Sequence, residues 1–505
     1  MKILFIYPNA DSQAGFNYGV AHIAAVLAGA GHEVKFWQLC ESLVSLPTRE
    51  EFAGRLGEEA PDLLAFSIVT TQWNYARKLA AWAREVLSVP VVCGGVHALA
   101  AGREILETGL FDYIFRGESE EAFLEFVDRL SCGGPVEDIE NLGLLRDGKT
   151  KINPVRLLPD LERLPFKLYE VMDFQRLIDA KKGWVGLMAS RGCPFSCTYC
   201  FNHQMVATYR NDLKCTFREL NYIRRFTVDQ MIHEIKFLLE NYRRIKMFIF
   251  DDDLFTFDKS YVKEFCHAYR QTCDMPFVVN AHVNFFDAEC ASSLRAANCK
   301  VVKFGVESGS ERIRKTILNR YMSNEDIVRA IRIVKDAGMH SSVFIIIGFP
   351  HEGPQEIFET VRLLALAKPG RFRWTFFFPF PGTRAHEITL QGGFIDAQKM
   401  EELTNFTDES CLEFGAEHNL FLKKVGRAMP WFVNAYSDLP VADLYRGKVE
   451  EIMSMDQEHW NRVAPDVHRQ DSEISKHLSE EGLSHYAIKY NPFMGVISDY
   501  FLQED

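Results

Sequence analysis

Several familiar signatures are missing from these 505 residues. No second C-x-x-C pair follows the one at Cys197–Cys200, and no H-x-x-x-H accompanies it. A zinc knuckle built from two ligand pairs therefore has no support. No stretch of about 18 uncharged apolar residues occurs, so no membrane span is expected. The first residues, Met1-Lys2-Ile3-Leu4-Phe5-Ile6-Tyr7-Pro8, lack the length and the small-residue cleavage site of a signal peptide. There is no low-complexity tract and no obvious repeat. Basic residues are outnumbered, 57 Lys and Arg against 69 Asp and Glu, for a net charge of -12. That balance gives no electrostatic reason to expect nucleic acid. The basic stretch around Arg218, Arg224 and Arg225 is local and reads as solvated surface. The 12 cysteines are scattered through a large chain, which suits a reducing cytosol rather than a disulfide framework.

Three of those cysteines are not scattered. Cys193, Cys197 and Cys200 form C-x-x-x-C-x-x-C in the segment Ala189–Cys200. Three thiolates in one tight loop can ligate three irons of a 4Fe–4S cluster and leave the fourth iron open to a small molecule. Cys266, Cys273, Cys290 and Cys299 are too widely and irregularly spaced for a second cluster. Around the loop the chain alternates short apolar strands with amphipathic helices. Before it, strands fit Lys2–Tyr7, Glu33–Leu39, Leu63–Val69, Val89–Cys93 and Tyr113–Phe115, which predicts a doubly wound parallel sheet over residues 1–140. Residues 141–182, with a turn at Asp147-Gly148 and Pro154, Pro159 and Pro165, read as a hairpin and linker. Six further strand–helix units over 183–395 predict a partial (β/α)6 barrel, with the cysteine loop after its first strand, where barrel sites lie. Residues 396–505 read as a mainly helical cap over the substrate. The fold class is thus α/β with a helical C-terminal part.

The cysteine loop, with Tyr199 before its last cysteine, resembles the radical S-adenosylmethionine (SAM) superfamily. So do several strand ends. Phe250-Asp251-Asp252-Asp253-Leu254-Phe255 is similar to the F-x-D-D-x-F segment of cobalamin-dependent members. Gly305-Val306-Glu307-Ser308-Gly309 resembles the fourth-strand motif, Phe344–Pro350 the fifth and Phe378–Thr383 the sixth. The resemblance implies a 4Fe–4S cluster on the three cysteines, and SAM near Tyr199, Asp252, Asp253, Asn280, His282, Glu307, Ile347 and Gly348.

Residues 1–140 resemble the cobalamin-binding domain attached to many such barrels, through Gly94-Gly95-Val96-His97 and Arg116-Gly117-Glu118-Ser119-Glu120. Cobalamin would then be held by Ser67, Thr70, Thr71, Gly94, Gly95, His97, Gly117 and Glu118. One departure stands out. The D-x-H-x-x-G motif that supplies a cobalt-ligating histidine elsewhere is absent, and the first loop reads Pro8-Asn9-Ala10-Asp11-Ser12-Gln13-Ala14-Gly15. A base-off cofactor without a protein histidine is expected.

The resemblance as a whole implies a cytoplasmic methyltransferase acting on an unactivated carbon, served by an external flavodoxin- or ferredoxin-like electron donor. An oxidative cyclase or rearrangement enzyme similar to the anaerobic magnesium-protoporphyrin ester cyclase shares this architecture, and a cobalamin-binding regulator with a silent barrel is a third reading. Trp431, Phe432, Tyr436, Trp460 and Tyr486 in the cap are compatible with an apolar small-molecule substrate, and equally with a packed helical core.

Overall fold

The structure is a computed structural model and describes all residues except 147, 404–408, 492–495 and 501–505. Asp147 of the expected turn lies outside the described residues.

The N-terminal strands are β1 (Lys2–Pro8), β2 (Glu33–Leu39), β3 (Leu63–Ser67), β4 (Val91–Gly94), β5 (Tyr113–Phe115), β6 (Leu142–Arg146) and β7 (Lys149–Ile152). They pair in the order β2-β1-β3-β4-β5-β6-β7. The first five run parallel, and β6 and β7 add an antiparallel hairpin to the β5 edge. β1 is apolar throughout because both its faces are covered. Ile3 and Phe5 pack into one core and Leu4 and Ile6 into the other. In this strand order the chain reverses direction between β1 and β3, and ligands of such sheets sit at the carboxyl ends of the strands there. A helix absent from the sequence-based expectation, Arg49–Glu59, starts at a Thr48/Glu51 capping box.

The second sheet contains β8 (Trp184–Leu187), β11 (Met247–Phe250), β12 (Phe277–Ala281), β13 (Cys299–Glu307), β14 (His340–Ile347) and β15 (Arg371–Phe376), all parallel in that order. Two-residue strands β9 (Ser190–Arg191) and β10 (Arg224–Arg225) pair antiparallel above β8. At the far edge, β16 (Tyr486–Asn491) and β17 (Val496–Tyr500) continue the sheet antiparallel beyond β15. The C-terminal part is therefore not only helical: its last strands close the open edge of the half-barrel, where an unpaired strand would be a liability. Its main helix, Ala416–Ala435, carries Pro430 and a non-helical Ala428, which hid it from periodicity. Trp431, Phe432, Trp460 and Tyr486 are all buried in packing, while Tyr436 is 45% exposed. Four of the five cap aromatics thus pack in the core, Tyr486 from β16, and only Tyr436 reaches a surface cavity.

The two sheets share one hydrophobic core, in which Phe16 stacks on Tyr169 with ring centroids 4.8 Å apart. Charge fixes their relative placement. Glu118, after β5, pairs with Arg224 and with Arg191 (2.5 Å), and Arg191 also meets Glu120 at 2.7 Å. Arg224 is therefore buried and paired, not solvated surface. Burial opposes ionisation of Glu118, but the two guanidiniums outweigh it and hold the carboxyl below its ordinary range. Removing one partner of a buried ion network leaves charge uncompensated, at a cost of about 3 kcal/mol. We expect Glu118→Gln to lower stability by about that much in urea unfolding. The native network's contribution is complete near neutrality and is lost as the pH falls through the depressed folded value. Glu118→Gln should flatten that acid limb. An unchanged urea midpoint and an unchanged acid limb would show that the network carries no structural weight.

Candidate active site

The loop Gly192–Cys200 is held at each of its parts. Asp252, at the end of β11, accepts from Ala189 N–H (3.0 Å) and from the Ser190 hydroxyl. Gly192 has φ +95°, and a Cβ there would run into the Tyr222 carbonyl. Asn319 Nδ2 donates to Ser196 O (2.9 Å) and Oγ (2.8 Å). Thr198 Oγ1 donates to Ile317 O at 2.6 Å. Phe195 stacks on His282 at 4.2 Å. Cys200 is the N-cap of the helix Phe201–Leu213.

Cys197 is buried, and Cys193 and Cys200 are half-buried. Burial first, then the Asp253 carboxylate and after it the neighbouring thiols, push Cys193 up to about 12 and Cys200 to about 11, against backbone N–H groups that lower both. Cys193 and Cys200 would release their protons on holding a metal centre, since thiolates are the ligating form. Two donors face the sulfurs: Arg320 Nη1 lies 3.3 Å from Cys197 Sγ and Asn202 Nδ2 lies 3.8 Å from Cys200 Sγ. Among the described residues no three Cys, His, Asp or Glu groups converge on one ion.

The other expected SAM contacts divide. Glu307 is buried at the end of β13 with φ +67°, among Arg320 and Tyr199. Burial raises its pKa and Arg320 opposes the rise. Arg320 also donates to Gly305 O (2.5 Å) and reaches Tyr199 Oη (3.4 Å). Asp253 accepts from Asn202 at 2.9 Å and lines the cavity described below. Asp252 does not: its carboxylate is buried and taken up by the cysteine loop, while Asp251 and Asp253 flank it on the open side. Asn280 donates to Asp252 O at 2.8 Å. His282 Nδ1 accepts from Asn284 N–H, and burial and Arg320 lower its pKa to about 3, so it buttresses the loop as a neutral ring. Ile347 is fully buried in the main core, away from the open face. Gly348, with φ +77°, donates its N–H to Glu352 (2.7 Å). Arg320, Asn202, Asp251 and Tyr18 were not foreseen. Arg320 meets Cys197 across 123 residues, and no local pattern marks it.

A cavity of about 520 Å³ lies between the two sheets. Ser67, Gly94, Gly95, Gly117 and the backbone of Glu118 line it from the N-terminal side, and Arg191, Gly192, Asn202 and Asp251 from the barrel side. Gly95 (φ +91°) leaves no space for a Cβ, which would sit 2.6 Å from Ile68 O. Gly117 is required by Tyr209 of the barrel, whose ring occupies the Cβ position. Ser67 accepts from Asn17 Nδ2 at 3.0 Å. The carboxylate of Glu118 is spent on Arg191 and Arg224, so it is a strut between domains and not a free ligand group. Thr70 and Thr71 lie beyond the lining in a short 3-10 turn, where Thr70 Oγ1 is buried without a partner. His97 is also outside the lining, buried 4.8 Å from the Trp73 ring with both nitrogens unpartnered. Neither His22, His32 nor His97 lines the cavity. The strand-end glycines along this cavity suit a ligand bound at the carboxyl ends of the strands.

Comparison with known proteins agrees with this geometry. Residues 187–364 match the radical SAM superfamily and residues 12–127 match the B12 binding domain. An uncharacterized methyltransferase of Pyrococcus horikoshii is 27% identical over 77% of this chain and 83% of its own length. The anaerobic magnesium-protoporphyrin IX monomethyl ester cyclase of Cereibacter sphaeroides is 24% identical over 85% of this chain and 72% of its own. Among solved structures, the radical SAM methyltransferase TsrM from Kitasatospora setae, with cobalamin and a [4Fe-4S] cluster bound, superposes with a TM-score of 0.63 at 16% identity, covering 90% of this chain and 98% of that one. The cobalamin-dependent radical enzyme OxsB, with aqua-cobalamin and SAM bound, gives 0.65 at 12% identity, covering 95% and 75%.

The matched radical SAM domain implies a 4Fe–4S cluster and SAM, and the B12 domain implies cobalamin. Anaerobic reconstitution should give about four irons per chain. Replacing Cys193, Cys197 and Cys200 together with alanine should abolish both the iron and the visible charge-transfer absorbance. Retention of the irons would move the site to other cysteines. With both domains present in one chain and their ends facing one cavity, the protein belongs to the radical SAM enzymes that carry a B12 binding domain.

Proposed function

We propose that the chain is a cobalamin-dependent radical SAM methyltransferase acting on an unactivated carbon. One observation carries this: the strand ends of the B12 domain and the residues around the cysteine loop line the same cavity. When bound, the cluster and cobalamin supply reductive cleavage of SAM and a transferable methyl group. The chain's residues do the rest. Cys193, Cys197 and Cys200 would hold the cluster, and Glu307, Arg320 and Asp253 would surround the polar groups of SAM. Gly94, Gly95 and Ser67 would form the cobalamin floor, with no histidine on the cobalt. Held from both sides, the loop keeps the reacting groups at a fixed separation and excludes water from between them.

Cyclase relatives of similar coverage favour a second reading, an oxidative cyclase or rearrangement enzyme. The distribution of cysteines and the need for a low-potential reductant support a cytoplasmic setting and a flavodoxin- or ferredoxin-like donor. In the described residues no helix is long and apolar enough to cross a membrane.

Two measurements test the proposal. A carbon without an acidic proton offers no nucleophile, so one SAM must form a radical and another must supply the methyl. Turnover with extract, a strong reductant and methyl-labelled SAM should give 5′-deoxyadenosine and S-adenosylhomocysteine in similar yield, with label in a new metabolite. Deoxyadenosine alone, without label transfer, would select the cyclase reading, and neither product from an intact, reduced cluster would mean a silent barrel. Separately, paramagnetic resonance of the cobalt(II) form should show no nitrogen splitting. A nitrogen-ligated signal would overturn the base-off assignment.

A further inference from the structure

The lumen of the half-barrel holds a charged row that the cofactors do not account for. On β13, Val302 and Phe304 pack outward into the main core. Val301 joins a separate small cluster with Ile249 and Val278, which forms the floor of the lumen. Lys303 shares the face of Val301 and so points inward. Register sets Lys303 beside Asn280 on β12 and Ser342 on β14. Asp251, just past β11, lies within electrostatic reach and lines the cavity between the domains.

Two members of this row are unsatisfied. Lys303 is only 8% exposed, and its side chain forms no hydrogen bond or ion pair with the described residues, its ammonium keeping a narrow contact with solvent. Ser342 is fully buried with its Oγ unpartnered. Burial lowers the Lys303 pKa, and Lys181, Arg373 and Arg371 lower it further, with Asp251 alone opposing them. Asp251 is already engaged by the Tyr18 hydroxyl at 2.9 Å. A largely desolvated ammonium without an anion is costly, and a ligand oxygen would offset that cost.

We propose that this row is the anion-binding end of the substrate pocket, where an anionic oxygen group, phosphate- or carboxylate-type, accepts from Lys303 Nζ and Ser342 Oγ. The inference rests on the enzyme reading above and adds the substrate class. The charge selects against the purely apolar substrate that the cap aromatics suggested. An anchor at this depth would leave the remainder of the substrate pointing up the lumen toward the cysteine loop.

The test uses the full-length chain and two probes, inorganic phosphate followed by ³¹P line broadening and ¹³C-acetate followed by ¹³C line broadening. Wild type should broaden at least one probe saturably. Phosphate alone would identify a phosphate-type group, and acetate alone a carboxylate. Lys303→Met should weaken binding at least about tenfold and Ser342→Ala about threefold, since a charge-assisted bond outweighs a neutral one. Lys300→Met, at an exposed position on the same strand, should match wild type. Removing an unpartnered buried charge should also raise the melting temperature of the probe-free chain by about 2 °C. Absence of saturable binding in wild type, equal binding in Lys303→Met, or a lowered melting temperature in that variant would each overturn the inference. SAM cleavage and cobalamin loading, measured on wild type in parallel, report on the parent reading by itself. Their failure with intact Lys303-dependent anion binding would sink that reading alone, and the converse would sink this inference alone.

Discussion

The position of Arg191 constrains everything else in the site. It stands two residues before Cys193 and is gripped by Glu118 and Glu120 from the other domain. Arg224 closes the network from β10, which pairs with the strand containing Arg191. Two guanidiniums and two carboxylates balance in charge. That balance makes their burial tolerable without making it a large source of stability. What the network supplies is geometry. The cysteine loop cannot shift relative to the N-terminal sheet without stranding a buried charge.

The same loop is tied to its own barrel by Asp252. Its oxygens accept from Ala189 and Ser190, one strand away. Burial raises the Asp252 pKa to about 6 while both hydrogen bonds and Arg225 oppose the rise. The loop is thus fixed from two directions by buried acids, neither of which is free to bind a ligand. A reaction between groups held on two domains needs this kind of rigidity, since an error of about 1 Å in separation costs about a hundredfold in rate.

The residues legible in the sequence are those whose chemistry demands fixed local spacing. The cysteines are one case, and the parallel strands another, because strands covered on both faces read as apolar runs. The strand-end glycines were legible for the same reason. Roles that depend on one residue of register were not. Asp252 matched the expected motif, yet its side chain faces inward, and Asp251 and Asp253 take the open positions. Contacts made across the fold were invisible too. Arg320 reaches Cys197, and Tyr18 reaches Asp251 over 233 residues. Glu118 stands in a segment that resembles the cobalamin-binding domain, and the partners of its carboxylate, Arg191 and Arg224, lie in the other half of the chain. The helix Ala416–Ala435 was hidden by Pro430, and β16 and β17 by their place after a run of helices.

These cross-fold placements share a physical origin that bears on the lumen. A charged residue within an apolar strand, such as Lys303 in Cys299–Glu307, carries no local signal of which face it takes. Only the partition of its neighbours into two separate clusters does. Cofactor motifs are legible because chains of one chemistry would bind the same molecules. Substrates differ, so the groups that choose them occupy positions where the fold dictates no residue. A polar side chain there, buried and unpartnered, is retained against its own desolvation cost. In this barrel Ser342, with its buried Oγ unpartnered, and Lys303, nearly buried and without a counter-ion among the described residues, stand side by side on adjacent strands, and this sets them apart from Glu118, Asp252 and Arg191, whose buried charges are already answered from within the protein.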